Sequence, residues 1–311
     1  MNNIANRKVI CDTLIELAKD DKDIVVLASD SRGSASLSDF VDSYPNQFVE
    51  VGIAEQNLVG IASGLASCGK KTYVASPASF LSMRSIEQIK VDVAYSKNNV
   101  KLIGISGGVS YGALGMTHHS LQDIAVTRAI PNLQVLLPSD RHETKKMIEA
   151  LYKSDIPAYI RIGRNPVEDV YEDDNFEFEI GKANEMHSGN DIAVIATGET
   201  VRIALDAAKE LEKEGIGCRV INMHTIKPLD KDVILKCAKE TKGIITIEEH
   251  SIYGGLGAAV SEVVVNNHPV KVKIIGIADE SPVTGNSKQV FEYYGLASEN
   301  IIKLSKEILF N

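Results

Sequence analysis

The sequence predicts an α/β protein of two domains, each built on a mostly parallel, helix-covered sheet. Short β-like runs at residues 24–28, 72–75, 100–106, 134–137 and 158–162 alternate with helix-length segments, the pattern left by parallel strands joined through crossover helices. After Arg164-Asn165-Pro166 the alternation stops. The next residues carry Glu168, Asp169, Glu172, Asp173, Asp174, Glu177 and Glu179, which bury little surface and read as a linker. The alternation then restarts, with strands at 192–196, 218–222, 243–248 and 272–277 and helices at 200–214, 230–241 and 256–266. The expected organisation is a first domain over 1–166, an acidic linker over 167–181 and a second domain over 182–311.

Length and composition agree with that division. The 311 residues are 44% hydrophobic and 24% charged, a globular composition with enough chain for about two domains. A net charge of -9 argues against nucleic-acid binding, which needs clustered Lys and Arg to replace phosphate counterions. An anionic small substrate is still allowed, because its site needs only a few local cations. Cys11, Cys68, Cys218 and Cys237 are widely separated and form no CxxC pair, which suggests buried thiols in a reducing compartment. The first residues lack the apolar core of a signal peptide and no segment is long and apolar enough to span a bilayer, so the expected location is the cytoplasm.

The run Phe48-Val-Glu-Val-Gly-Ile-Ala-Glu-Gln-Asn57 holds the best catalytic candidate. It sets Glu55 between a strand-like stretch and an amphipathic helix of small residues. A Glu in a first helical turn can simply favour the positive helix end. Here Ile53, Ala54, Leu58, Val59 and Ile61 are expected to hold it away from water, the setting in which a carboxyl exchanges protons near neutrality.

Four stretches, in order, carry a family resemblance over nearly the whole chain: residues 49–65, Phe80-Leu-Ser-Met-Arg-Ser-Ile-Glu-Gln-Ile89, the Gly-rich loop 104–119, and Ile130-Pro-Asn-Leu-Gln-Val-Leu-Leu-Pro-Ser-Asp140. Together they resemble the C-terminal half of transketolases. The resemblance implies a pyrimidine-binding domain of a thiamine diphosphate enzyme followed by a transketolase C-terminal domain. The family's Gly-Asp-Gly motif, which holds the diphosphate and its Mg2+, does not occur in this sequence. The chain therefore resembles one half of a split transketolase, with Mg2+ bound mainly by a separate N-terminal subunit in an expected α2β2 assembly.

The resemblance assigns roles residue by residue. Glu55 matches the carboxyl that hydrogen-bonds the cofactor's N1' and favours the imino form of the aminopyrimidine, which acts as internal base. Phe80 matches the aromatic stacked on that ring, although an ordinary core Phe would look the same in sequence. Met83 and Ile86 stand where transketolases carry further aromatics, so the ring pocket is expected to be aliphatic there. Asp30, after a strand end, matches an acidic residue on the thiazolium side, or it caps a turn. His118 matches the histidine that contacts substrate hydroxyls, while His119 replaces a Gln and has no assigned role. Arg7, Ser34 and Arg164 match the grip on the sugar's distal phosphate, a chemistry suited to guanidinium forks.

Two departures bear on the substrate. Ser106 stands where a phosphate-contacting His is usual, and Leu114 replaces an Asp that contacts the donor's C2 hydroxyl. Loss of a polar partner changes discrimination strongly, so a branched or modified ketose phosphate, or a ketose bearing sulfonate, is the expected substrate. Gly255-Leu-Gly257-Ala-Ala-Val260 superficially resembles a dinucleotide fingerprint, but it reads better as a packed turn, and His250 reads as interfacial. The alternatives are the β subunit of a 2-oxoacid dehydrogenase E1 or a deoxyxylulose-phosphate synthase-like enzyme, and a non-catalytic binding or regulatory protein with the same fold.

Overall fold

The computed structural model of the chain describes residues 4–310; residues 1–3 and 311, the outer ends of the two expected domains, lie outside the described residues. Its strands, in chain order, are β1 (Ile24–Ala28), β2 (Phe48–Glu50), β3 (Lys71–Pro77), β4 (Val100–Ile105), β5 (Gln134–Leu136), β6 (Ala158–Arg161), β7 (Asn184–His187), β8 (Ile192–Ala196), β9 (Cys218–Asn222), β10 (Thr225–Lys227), β11 (Gly243–Ser251) and β12 (Lys271–Ile277). One sheet has the order β10-β5-β6-β4-β3-β1-β2 and the other β12-β11-β8-β9-β7. Among the described residues, only the edge strands β10 and β7 run antiparallel to their neighbours. Helix-covered parallel strands must be apolar on both faces, and β1, β4, β6, β8 and β9 are buried at every position.

The second half of the chain does not stay within its own sheet. Strand β10 pairs with β5 and extends the first sheet. The acidic segment 167–181 contains no helix or strand, yet it is fastened down. The Asp140 carboxylate accepts the Val170 and Tyr171 amides at 2.7 and 2.8 Å while also capping its own helix through the Glu143 amide. The Tyr171 ring is buried and stacks on Phe176 with centroids 3.7 Å apart. The excess of charge hid these two aromatic anchors.

Beside Asp140 lies a buried polar cluster. The Glu143 carboxylate accepts the Ser139 amide and hydroxyl at 2.7 and 2.8 Å, the Asn222 amide at 2.8 Å and the Tyr171 hydroxyl at 3.2 Å. It thus joins the first unit, the connecting segment and β9. Burial pushes its pKa up to about 7.

The topology also defines a crevice. The chain winds away from β1 in both directions, to β2 on one side and to β3 on the other, and ligands of open α/β sheets bind beyond the carboxyl ends of the strands at such a point. Asp30 follows β1, Glu55 follows β2, Phe80 follows β3, Ser106 follows β4 and Arg164 follows β6, so five predicted site residues lie at that edge.

Because the folded-state pKa of Glu143 is raised from 4.5 to about 7, the folded state holds its proton over a pH range in which the unfolded chain has lost it. The contribution is full at low pH and is lost as pH rises toward the folded value. Glu143→Gln, which keeps an acceptor and cannot ionise, is expected to gain melting temperature relative to the wild type as pH goes from 5 to 8. A difference that stays flat across those values in thermal denaturation would contradict the assignment.

Candidate active site

Glu55 opens the helix Glu55–Ser67. The chain leaves β2 through Gly52 at φ 71°, a left-handed conformation that costs glycine little. The helix buries Leu58, Val59 and Ala62 against the core, and each large apolar side chain there is worth about 1.5–3 kcal/mol. This packing carries Glu55 inward: its side chain is 4% exposed. The apolar cage expected around it is only partly present. Leu58 and Val59 are buried, but Ile53 is 74% exposed and points into an open cleft. That cleft, of about 450 Å³, is lined by Ile53, Ala54, Glu55, Gln56, Asn57 and Arg84.

Arg84 is the residue that the sequence reading missed. It ends the helix Ala78–Arg84, which also carries Phe80 one turn earlier. Its Nη1 donates to both Glu55 carboxylate oxygens, at 3.1 and 3.2 Å, while its guanidinium carbon lies 4.3 Å from the Phe80 ring centroid. Residues four apart share a helix face, so the Phe80/Arg84 spacing was the available signal.

From Phe80 a line of rings leads to a pair of cations. The His118 ring meets Phe80 edge to face at 5.1 Å and Tyr111 at 5.6 Å, and His118 Nδ1 lies 2.9 Å from Thr117 Oγ1. Arg164 donates to the Tyr111 hydroxyl at 2.8 Å and its guanidinium lies over the Tyr111 ring. The same hydroxyl lies 3.4 Å from Ser34 Oγ, and Arg7 donates to the Ser34 carbonyl at 2.6 Å. The pKa of Arg7 is lowered by burial and then by the charge of Arg164. Glu55, Phe80, His118, Ser34, Arg164 and Arg7 are thus linked in one strip through Arg84 and Tyr111.

The remaining predicted residues sit around this strip. Asp30, at φ 54°, has its amide held by Glu50 at 2.7 Å, and it lines a neighbouring cleft of about 370 Å³ with Arg32, Gly33, Phe48 and Glu50. Met83 is half exposed and Ile86 packs against the core, so the two do not share one environment. Ser106 is buried, at φ 56°. Leu114 is exposed on a short turn, Gly112–Leu114. His119 is buried and its pKa is lowered, chiefly by that burial.

The second unit holds the loop that presents His118. Glu249 accepts the Val109 amide at 2.7 Å, the Ser251 amide donates to the Leu121 carbonyl at 3.1 Å, and the Gly285 amide donates to the Gly112 carbonyl at 3.2 Å. Arg161 lies between Asp123 and Glu249, 3.5 Å from each carboxylate. Burial pushes the Glu249 and Glu199 carboxyls up. His250 is fully buried in the same seam, where its Nε2 accepts the Ala125 amide at 3.4 Å. The glycines at 255 and 257 have a structural purpose. Glu248 accepts the Leu256 and Gly257 amides at 2.7 and 2.8 Å, and a Cβ on Gly255 would collide with its carboxylate. Among the cysteines, Cys11, Cys218 and Cys237 are buried as expected, but Cys68 is exposed.

A doubly wound sheet with a carboxylate, an aromatic face and a cation pair along its carboxyl edge defines a cofactor-and-substrate half-site. Comparison with known proteins specifies it. The transketolase pyrimidine binding domain matches residues 2–168 and the transketolase C-terminal domain matches residues 181–301. A chain of the two-chain apulose-4-phosphate transketolase of Phocaeicola vulgatus is 54% identical over 308 residues, covering 99% of this chain and 98% of that one. A chain of the 6-deoxy-6-sulfo-D-fructose transketolase of Clostridium sp. is 35% identical over 302 residues, covering 97% and 94%. A solved structure described as a split gene transketolase, inactive beta4 tetramer, superposes with a TM-score of 0.90 at 36% identity and 98% coverage of both chains. The chain belongs to the transketolase family of transferases, and it corresponds to the C-terminal subunit of the split, two-chain form.

Glu249→Ala removes the acceptor for the Val109 amide and leaves Arg161 with one carboxylate fewer. It is expected to raise amide hydrogen exchange across residues 108–120 by about tenfold or more while the helix 55–67 stays protected, since loops open locally when their anchoring bonds are lost. Unchanged exchange at Val109 would show that the loop is ordered without the seam.

Proposed function

We propose that this chain is the pyrimidine-binding, C-terminal subunit of a thiamine diphosphate-dependent transketolase. It would transfer a two-carbon ketol unit from an anionic ketose to an aldose acceptor, together with a separate N-terminal subunit that carries the diphosphate and Mg2+ motif. The observation that carries this reading is the convergence of Glu55 and Phe80 on one planar, N–H-bearing group, the Arg84 guanidinium. A carboxylate edge and a ring face offered together are the two surfaces an aminopyrimidine needs, so the residues present fit the cofactor. An α2β2 assembly and a cytoplasmic location belong to the same proposal.

When bound, thiamine diphosphate supplies the carbanion equivalent that amino-acid side chains lack. The chain's own residues orient and protonate. Glu55, sealed from water, holds a proton at the N1' edge of the aminopyrimidine and so sets its tautomer. Phe80 fixes the plane of the ring. His118, held between Phe80 and Tyr111, supplies a polar edge for the sugar's hydroxyls. Arg7 and Arg164 take the distal anion, with Ser34 and Tyr111 fixing their positions. Asp30 lies at the carboxyl end of β1 toward the thiazolium side, and Met83, Ile86, Ser106, Leu114 and His119 shape the rest of the pocket.

The charge of Arg164 lowers the affinity of Arg7 for its proton, and two guanidiniums at that spacing favour a doubly charged ligand, because a dianion offsets both. This supports a phosphate over a sulfonate. Leu114, with no acceptor for a C2 hydroxyl, and the similarity to a chain of an apulose-4-phosphate transketolase support a branched ketose phosphate as donor. The deoxyxylulose-phosphate synthase reading is not favoured, since this chain covers only 46–49% of the matched synthases.

Assembled with its N-terminal subunit, the Glu55→Gln variant is expected to lose roughly a hundredfold or more in kcat while still binding the cofactor. Unchanged turnover would remove the carboxylate from the mechanism. In a donor panel of apulose 4-phosphate, 6-deoxy-6-sulfofructose, xylulose 5-phosphate, fructose 6-phosphate and pyruvate, the branched phosphate is expected to give the highest kcat/KM. A clear win for xylulose 5-phosphate or fructose 6-phosphate would overturn the substrate assignment, and turnover of pyruvate would overturn the reaction class.

A further inference from the structure

The Arg84 guanidinium occupies the surfaces on which the proposed cofactor ring would sit. Its Nη1 donates to both oxygens of Glu55, and its plane covers the Phe80 ring at 4.3 Å. A carboxylate with both oxygens engaged and a ring face already covered cannot receive an aminopyrimidine until the arginine leaves. The environment makes departure feasible: the Glu55 side chain is 4% exposed, whereas that of Arg84 is 51% exposed and lines the open cleft beside it. Arginine side chains carry their charge on a flexible stem, so the guanidinium can turn into that cleft without disturbing the helix.

We propose that Arg84 is a self-occupying gate. In the free subunit it stands in for the aminopyrimidine, keeping the buried Glu55 charge paired and the Phe80 face covered, and it is displaced when the cofactor binds. This deepens the thiamine diphosphate reading and rests on it. The gate serves the free chain directly, because a buried carboxylate without a partner is strongly destabilising and this subunit has to fold before its site is completed. Its cost is affinity: a ligand that binds only the open state has its Kd raised by the fraction of molecules that are closed.

The test is titration calorimetry of thiamine diphosphate with Mg2+ into the assembled two-subunit complex, comparing the wild type with Arg84→Ala and Arg84→Met. Circular dichroism melting confirms that each variant is folded. Both variants are expected to bind the cofactor roughly three- to tenfold more tightly than the wild type, the size of a modest closed-state bias. Binding that is equal or weaker in folded variants, beside normal wild-type binding, would overturn the gate and make Arg84 neutral or a cofactor ligand. Absence of binding by the wild-type complex would instead overturn the thiamine diphosphate reading and the gate with it.

Discussion

The Arg161 guanidinium, enclosed between Asp123 and Glu249, is the contact on which the working edge of this molecule depends. Removing one partner from a buried pair leaves a charge that neither water nor protein compensates, so the carboxylates must stay where the arginine needs them. Asp123 also accepts the Tyr159 hydroxyl at 2.8 Å, tying the helix that follows the His118 loop to β6. Glu249 reaches across the seam to the Val109 amide. One charged triad therefore fixes how the two units meet and where the substrate loop lies.

The division of labour follows from that geometry. The first sheet supplies Glu55, Phe80 and Arg164 from successive strand ends, where backbone direction alone brings them to one edge. Among the described residues, the second unit contributes no side chain to the Glu55–Arg7 strip. It acts by holding the loop, through Glu249, Ser251 and Gly285, and by lending β10 to the first sheet. The covered crevice is thus half rigid sheet edge and half clamped loop, a combination in which the cofactor side is fixed and the sugar side can vary by substitution at positions such as Ser106 and Leu114.

Much of this was legible from residue order. Runs such as Ile24-Val-Val-Leu-Ala28 and Ile192-Ala-Val-Ile-Ala196 are apolar at every position because both faces of a parallel strand are covered, and short flanking turns delimit them. Strands β7 and β10 were not legible, since Asn184-Glu-Met-His187 and Thr225-Ile-Lys227 are short and polar and become strands only by pairing with distant edges. The same contrast holds at the site. Glu55 sits in a local pattern, but its partner Arg84 is 29 residues away in sequence and looks like a solvated helix end. Tyr111 was hidden within a Gly-rich loop, where only the folded chain shows that its hydroxyl joins Arg164 to Ser34. Ile53 was misplaced because apolar character does not say which way a turn residue faces.

The central claim is that this chain holds half of a cofactor site and that a second subunit holds the other half. Titration of thiamine diphosphate and Mg2+ into the chain alone, and into the chain mixed with the neighbouring-encoded protein that carries Gly-Asp-Gly, tests it most directly. The account predicts saturable binding in the mixture and none in the chain alone. Tight binding by the chain alone, or no binding by a mixture of two folded proteins, would contradict it.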